Sequence, residues 1–193
     1  MEFEDACCLD DLIVCNILYI QGVLDKTPIR NAPMEEECED IADKLVELGD
    51  NGVLTIAAQP ACVLNGWRQR GFVTGAIECD LDGFVDLLNE TNLTYIVQQN
   101  GNFVKNISTS PGKTMLDFSQ LMKNGFWETY TGLECQEIEK KITDGYEYYN
   151  TEEYEITCDD RIVFFCVCDF KYGFPVSNCC DQLLRVVELV NQM

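Results

Sequence analysis

The hydrophobic positions in the first part of the chain change from helical to strand-like spacing. Apolar residues recur three and four apart over residues 9–24 and again over residues 35–48, which predicts two amphipathic helices, the second ended by Gly49. An apolar, β-branched run then predicts a strand over residues 53–57. The same rules predict further strands at 71–77, 93–98, 154–158 and 161–170, and helices at 80–88, 119–123, 133–142 and 179–190.

This alternation of helices and strands predicts an α/β or α+β fold. We expect a single domain over residues 1–193, in which helices flank a central mixed sheet of about five or six strands. A smaller antiparallel sheet with helices on one face is the alternative architecture. The chain has no internal repeat and no linker composition that would divide it.

The balance of charge predicts a folded chain with a negative surface. Of 193 residues 47% are hydrophobic, enough for one sizeable core, while the formal net charge is -21. Such a surface repels phosphate backbones and anionic lipids, and the most basic segment offers only Arg68 and Arg70. We therefore expect no direct nucleic-acid or membrane binding, and a basic protein as the partner.

The cysteines and the N-terminus predict a reducing compartment, the cytoplasm or the nucleus. No Lys or Arg precedes the first apolar stretch, as a secretory signal would require. We expect most of the 12 cysteines to be buried thiols, with Cys7 and Cys8 the most reactive. Zinc is the alternative, but its nearest cluster has poor spacing, so we expect no metal. That cluster comprises Cys158, Cys166, Cys168, Cys179 and Cys180.

Catalytic chemistry finds little support in the sequence. Histidine is absent, which removes the usual base for a Ser or Cys nucleophile. Residues 110–114 end like a phosphate-binding loop, but the first glycine is missing and Pro111 removes one amide donor, so a turn is the better prediction. We expect no cofactor and favour a non-enzymatic function, and the sequence singles out no catalytic residue.

Three short motifs between Gly52 and Gly75 resemble a known family. They are Gly52-Val53-Leu54-Thr55, Gln59-Pro60-Ala61 and Gln69-Arg70-Gly71-Phe72-Val73. The segment resembles an uncharacterised domain family of actinobacteria and large DNA viruses, marked by a Gln-Pro turn and a downstream Gln-Arg pair. The resemblance covers residues 9–79 and implies no known activity. Ala58 departs from it, since the family tends to serine there.

The Gln-Pro turn and the basic segment supply the candidate ligand-binding residues: Gln59, Arg68, Gln69 and Arg70. One interpretation is structural, in which Gln59 and Arg70 tie a loop to its neighbour by side-chain hydrogen bonds. The other is a crevice for an anionic ligand at the end of a strand.

Two functions follow from these observations. The favoured one is an acidic intracellular interaction protein of viral origin that binds a basic partner and occupies its nucleic-acid surface. The alternative is a small-molecule-binding protein or enzyme that uses the crevice near Gln59 and Arg70, with Glu78 or Asp80 as base.

Overall fold

The computed structural model describes most of the chain. The described residues are 6, 8–27, 32–34, 36–60, 62–64, 67–69, 71–99, 102–108, 115–116, 161–169 and 178–193. Several predictions lie outside them: the helices at 119–123 and 133–142, the strand at 154–158, the loop at 110–114, and Cys7, Arg70 and Cys158.

A six-stranded sheet organises the fold. The strands are β1 (Val53–Gln59), β2 (Cys62–Leu64), β3 (Trp67–Gln69), β4 (Phe72–Glu78), β5 (Leu93–Gln99), β6 (Asn102–Ser108), β7 (Met115–Leu116) and β8 (Ile162–Asp169). The sheet has the order β1-β4-β8-β5-β6-β7, and β2 pairs with β3 in a separate hairpin. The predictions of β1, β4, β5 and β8 are confirmed, whereas β6 and the hairpin were not predicted.

The sheet is antiparallel at every pairing between described strands, not mixed as expected. Helix α3 (Leu81–Asn89) connects β4 to β5, and these two strands run in the same direction. They are not neighbours, because β8 lies between them and pairs with both. The predicted alternation of strand and helix is therefore correct, but β8, a strand from later in the chain, lies between the two strands that α3 connects. The α+β class is confirmed.

Helices form a layer on one face of this sheet. They are α1 (Leu9–Ile20), a 3-10 helix (Glu36–Ile41), α2 (Ala42–Asp50), α3 and α4 (Asn178–Val190). Helix α2 packs against α1 and α4, and α4 packs against α3. The rings of Phe84 on α3 and Phe165 on β8 lie 5.7 Å apart, which fixes the layer against the central strand. None of the helices in the described residues could span a membrane.

The central strands are buried on both faces. All six residues of β8 from Val163 to Cys168 are buried, so side chains that point to alternate sides of the strand are equally shielded from water. This explains why β8 is an uninterrupted apolar run instead of an alternating one. The cysteines of β8, Cys166 and Cys168, serve here as core residues.

Glycines set the helix ends differently from the prediction. Helix α1 ends at Ile20, before Gly22, whose φ of 73° stops the predicted extension to residue 24. Gly49 is not a cap but an interior residue of α2, where a Cβ atom would lie 2.7 Å from Cγ1 of Ile17. Gly52, with φ of 88°, takes the left-handed position after α2 instead.

Candidate functional site

Three of the four predicted ligand-binding residues, Gln59, Arg68 and Gln69, lie on strands that the structure describes. Gln59 is the last residue of β1 and pairs with Phe72, the first residue of β4. The β2–β3 hairpin connects these two strands and places Arg68 and Gln69 opposite Val63 and Cys62. The backbone therefore places Gln59 at the end of β1 and Arg68 and Gln69 on the hairpin that follows it, and their role in ligand binding stays a prediction.

The proposed catalytic bases lie at the opposite end of β4. Glu78 is six residue steps from Phe72, about 20 Å along an extended strand. Its carboxylate forms an ion pair with Arg161 at 2.6 Å. Asp80 caps α3 by accepting a hydrogen bond from the Gly83 amide at 2.8 Å. Both carboxylates have structural roles, and neither reaches a crevice at Gln59.

A pocket of about 50 Å³ lies beside β1. Ala57 and Ala58 of β1 form part of its wall, but Gln59 does not. The backbone carbonyl of Ala58 accepts a hydrogen bond from the Cys38 thiol at 3.4 Å, which connects the 3-10 helix to the strand. The walls of this pocket are therefore formed mainly by α1, the 3-10 helix and the middle of β1, and Gln59 of the Gln-Pro turn is not part of them.

The charged residues of helices α1 to α4 lie on the outer side of the helix layer, and most of them are acidic. Helices α1 to α4 contain nine acidic residues against two basic ones, Lys44 and Arg185. We call this surface the acidic helical face. Its acidic residues, seven exposed and two half-buried, are Asp10, Asp11, Asp43, Glu47, Asp50, Asp82, Asp86, Asp181 and Glu188.

Little positive charge compensates this face. Lys44 lies between two carboxylates, 3.0 Å from Glu47 and 3.3 Å from Asp181. The hydrogen bond to Glu47, followed by that to Asp181, raises the pKa of Lys44 above its ordinary value, so it stays protonated. None of the four helices has a basic residue in its last turn, where the helix dipole is negative. The acidic helical face therefore carries negative charge from its side chains and partial negative charge from the C-terminal ends of its helices.

Four cysteines of the alternative zinc cluster are described by the structure, two on β8 and two on α4. Cys166 and Cys168 point to the side of β8 opposite Val167, whereas Cys179 on α4 donates to the Val167 carbonyl at 3.6 Å. Within the described ranges, no three Cys, Asp or Glu side chains are grouped to hold a metal ion. Eight described cysteines are free thiols; Cys8 is exposed and the other seven are buried.

Burial makes several of these thiols hard to ionise. Desolvation, with added repulsion from Asp80 and then Glu78, raises the pKa of Cys79 to about 12. Desolvation also raises the pKa of Cys180 to about 12 and that of Cys179 well above its ordinary value. A thiol with a raised pKa is a poor nucleophile and a poor metal ligand, so packing is the role that these three residues fulfil.

Sequence reasoning missed two polar residues in the core. Asn16 and Thr55 are 5% and 8% exposed, and both line the pocket beside β1. Each interrupts an apolar run on the inward side of a predicted element. A polar residue at a core position of an amphipathic pattern was the available signal, since buried polar groups require a hydrogen-bond partner.

One family model matches the chain. It is the domain of unknown function DUF6919, and the match covers residues 2–115. The matched region contains α1, the 3-10 helix, α2, α3 and the first six strands, but not β8 or α4. A comparison with curated proteins found no match.

Proposed function

The chain belongs to the DUF6919 family, a domain of unknown function, and we propose that it is an acidic interaction protein whose acidic helical face binds a basic partner protein. The observation that carries the proposal is the charge of four adjacent helices, nine acidic residues against two basic ones. The proposed partner surface is a basic groove or patch that matches the outer side of this layer.

The face suits this function because its carboxylates are held on a rigid scaffold. The helices bury their apolar sides against one another and the sheet, so the exposed acids keep fixed spacing. Charges fixed in this way steer a basic partner into contact and speed its association. A single exposed ion pair contributes little to affinity. Many carboxylates on adjacent helices together create a negative potential that attracts a basic partner before contact.

We further propose that the partner is a nucleic-acid-binding protein and that both proteins act in the cytoplasm or nucleus of a virus-infected cell. A row of carboxylates presents negative charge to a basic groove as a phosphate backbone does. The seven buried free thiols fit a reducing compartment. On this proposal, the acidic helical face and a nucleic acid compete for one surface of the partner.

Affinity capture followed by a salt titration tests the proposal. The full chain is immobilised at low ionic strength and exposed to host lysate, and the recovered protein is purified and titrated. We expect a basic protein whose dissociation constant rises with salt, because screening shortens the Debye length from about 10 Å at 0.1 M to about 3 Å at 1 M. A short DNA duplex should displace the chain. Recovery of no basic protein, or binding indifferent to salt, would reject the proposal.

A further inference from the structure

The pocket beside β1 contains a buried hydroxyl group that the protein itself does not satisfy. The Thr55 hydroxyl oxygen is fully buried and has no hydrogen-bond partner. Asn16 lines the same pocket from α1 and is 5% exposed. Buried polar groups are normally paired, so an unpaired hydroxyl beside a buried amide in one pocket indicates that a bound molecule pairs with it.

The walls of the pocket are fixed by the fold. On α1, Asn16, Tyr19 and Ile20 lie on one helical face, at the spacing of adjacent turns. The Tyr19 hydroxyl donates to the Ala32 carbonyl at 3.0 Å, which ties residue 32 to α1 and fixes the Tyr19 ring. On the opposite wall, the β1–β4 register shifts between Thr55 and Ala57, and such bulges commonly redirect side chains next to binding sites.

The chemistry of the lining selects the class of ligand. Among the described residues that line the pocket there is no Asp, Glu, Lys or Arg, so these walls offer a charged ligand no counter-charge for the hydration that it would lose. The Asn16 amide both donates and accepts, and the Thr55 hydroxyl does the same. The complementary group is therefore neutral and combines an N–H donor with a carbonyl acceptor, as a primary carboxamide does.

The size of the pocket limits how much of a ligand it takes. Its volume of about 50 Å³ exceeds the roughly 10–15 Å³ that one water molecule needs. It is well below the roughly 150 Å³ of a cavity that binds benzene. A group of a few heavy atoms fits, and apolar residues such as Met34 and Leu45 form part of the remaining wall. We infer that this pocket is a binding site for a small uncharged ligand with a primary carboxamide group, held by Asn16 and Thr55.

Acetamide is the probe that tests this inference on the full chain. We expect a saturable NMR shift of the Asn16 side-chain amide and the Thr55 methyl group, with a millimolar dissociation constant, the range open to so small a ligand. Acetate has nearly the same shape but a negative charge, and it should not bind. Absence of a saturable acetamide shift would mean that the pocket holds only water, and equal binding of acetate would show that the site is not selective for neutral groups; either result overturns the inference.

Substitutions locate the binding within the pocket. Thr55→Val removes the hydroxyl but keeps the shape, and it should weaken acetamide binding roughly tenfold, the effect of one lost hydrogen bond. Thr55→Ser keeps the hydroxyl and should retain the wild-type affinity. Asn16→Leu should abolish binding. The control is Thr94→Val, a buried threonine on β5 that does not line the pocket and should bind like wild type. Wild-type affinity in both Thr55→Val and Asn16→Leu would place acetamide elsewhere and overturn the assignment.

Discussion

Two buried threonines with opposite surroundings illustrate how single hydroxyl groups affect stability. The Thr94 hydroxyl donates to the Cys168 carbonyl at 3.2 Å and lies 2.6 Å from the Cys168 sulfur, whereas the Thr55 hydroxyl has no partner. A satisfied buried hydroxyl stabilises the fold, while an unsatisfied one only loses hydration. The two residues therefore provide a matched pair for mutagenesis.

We predict that Thr94→Val lowers the free energy of unfolding by about 1 kcal/mol. Thr55→Val should leave it unchanged or raise it slightly, because valine removes a hydroxyl that the protein does not pair. Urea unfolding of both variants beside wild type measures the difference. An equal loss of stability in both variants would show that the Thr55 hydroxyl is engaged within the protein itself.

Buried thiols make stability sensitive to alkaline pH. The pKa of Cys180 is about 12 in the fold, while an unfolded cysteine ionises near about 8.5. Between these values the unfolded chain has lost a proton that the folded chain keeps. This contribution to stability is fully present below the lower value and falls by about 1.4 kcal/mol per pH unit and per thiol as the pH rises towards 12.

We predict that Cys180→Ala reduces this loss by about 1.4 kcal/mol per pH unit between about pH 9 and 11, since the variant lacks the titrating group. Val186→Ala is the control, because it also shortens a buried side chain of α4 but removes no titrating group, so its slope should equal that of wild type. Urea unfolding at several pH values gives the slope for each variant. If Cys180→Ala and wild type show the same slope, the thiol does not titrate on unfolding.

At the scale of elements, the pairing of β1 with β4 depends on one glycine. A Cβ atom at Gly75 would lie 2.6 Å from the backbone carbonyl oxygen of Leu54 and 3.0 Å from Cζ of Phe165. The carbonyl belongs to the neighbouring strand and cannot move without disturbing the ladder. Gly52 differs, because its φ of 88° is strained for other residues but the space around it is open.

We predict that Gly75→Ala lowers the free energy of unfolding by about 3 kcal/mol through this clash. Gly52→Ala should lower it by about 1 kcal/mol, the cost of a left-handed conformation without a clash. Thermal or urea unfolding of the two variants gives the order. A smaller effect at Gly75 than at Gly52 would mean that β1 and β4 separate readily.

The spacing of apolar residues along the chain predicted the helices and strands that bury one or both of their faces. Strand β8 and helix α4 were predicted within one or two residues, because their apolar spacing is strong. The β2–β3 hairpin has only three residues in each strand, too few for a repeat to emerge. The first part of the predicted second helix is a 3-10 helix, which the same apolar spacing does not distinguish from an α-helix.

The spacing of apolar residues within a segment does not predict which distant segments of the chain pair or pack together. The position of β8 between β4 and β5 depends on pairing across nearly half of the chain, and no residue in β8 signals its neighbours. The acidic character of the protein was evident from composition, but the packing of four acidic helices side by side could not be read from it. The pocket likewise joins Asn16 and Thr55, which are far apart in sequence.

At the scale of the whole molecule, the sheet extends beyond the family match. The match ends at residue 115, yet β8 pairs with β4 through seven residues and with β5 through six. Without β8, the two central strands lose their shared neighbour and expose their facing edges and buried side chains. Helix α4, which packs against α2 and α3, would be lost as well.

We predict that a fragment of residues 1–116 does not fold on its own. Its NMR spectrum should lack dispersion and its urea unfolding should lack a cooperative transition, whereas the full chain shows both. A cooperative, well-dispersed fragment would instead establish the matched region as an independent unit, with β8 and α4 as additions to it.

The central claim is that the acidic helical face, and not net charge alone, binds the basic partner. Three exposed carboxylates on separate helices are neutralised in one variant, and three exposed carboxylates outside the four helices in a matched variant. The first variant is Asp50→Asn, Asp86→Asn and Glu188→Gln; the second is Asp25→Asn, Glu36→Gln and Glu39→Gln. Both variants change the net charge by the same amount, so bulk electrostatic attraction falls equally.

The deciding measurement is the dissociation constant of each variant for the captured basic protein at one fixed, low ionic strength. The variant of the acidic helical face should bind roughly tenfold more weakly than wild type, since each lost contact contributes about 0.5 kcal/mol. The matched variant should bind like wild type. Equal weakening in both variants would show that the partner senses only overall charge, and wild-type affinity in both would remove the acidic helical face from the interaction.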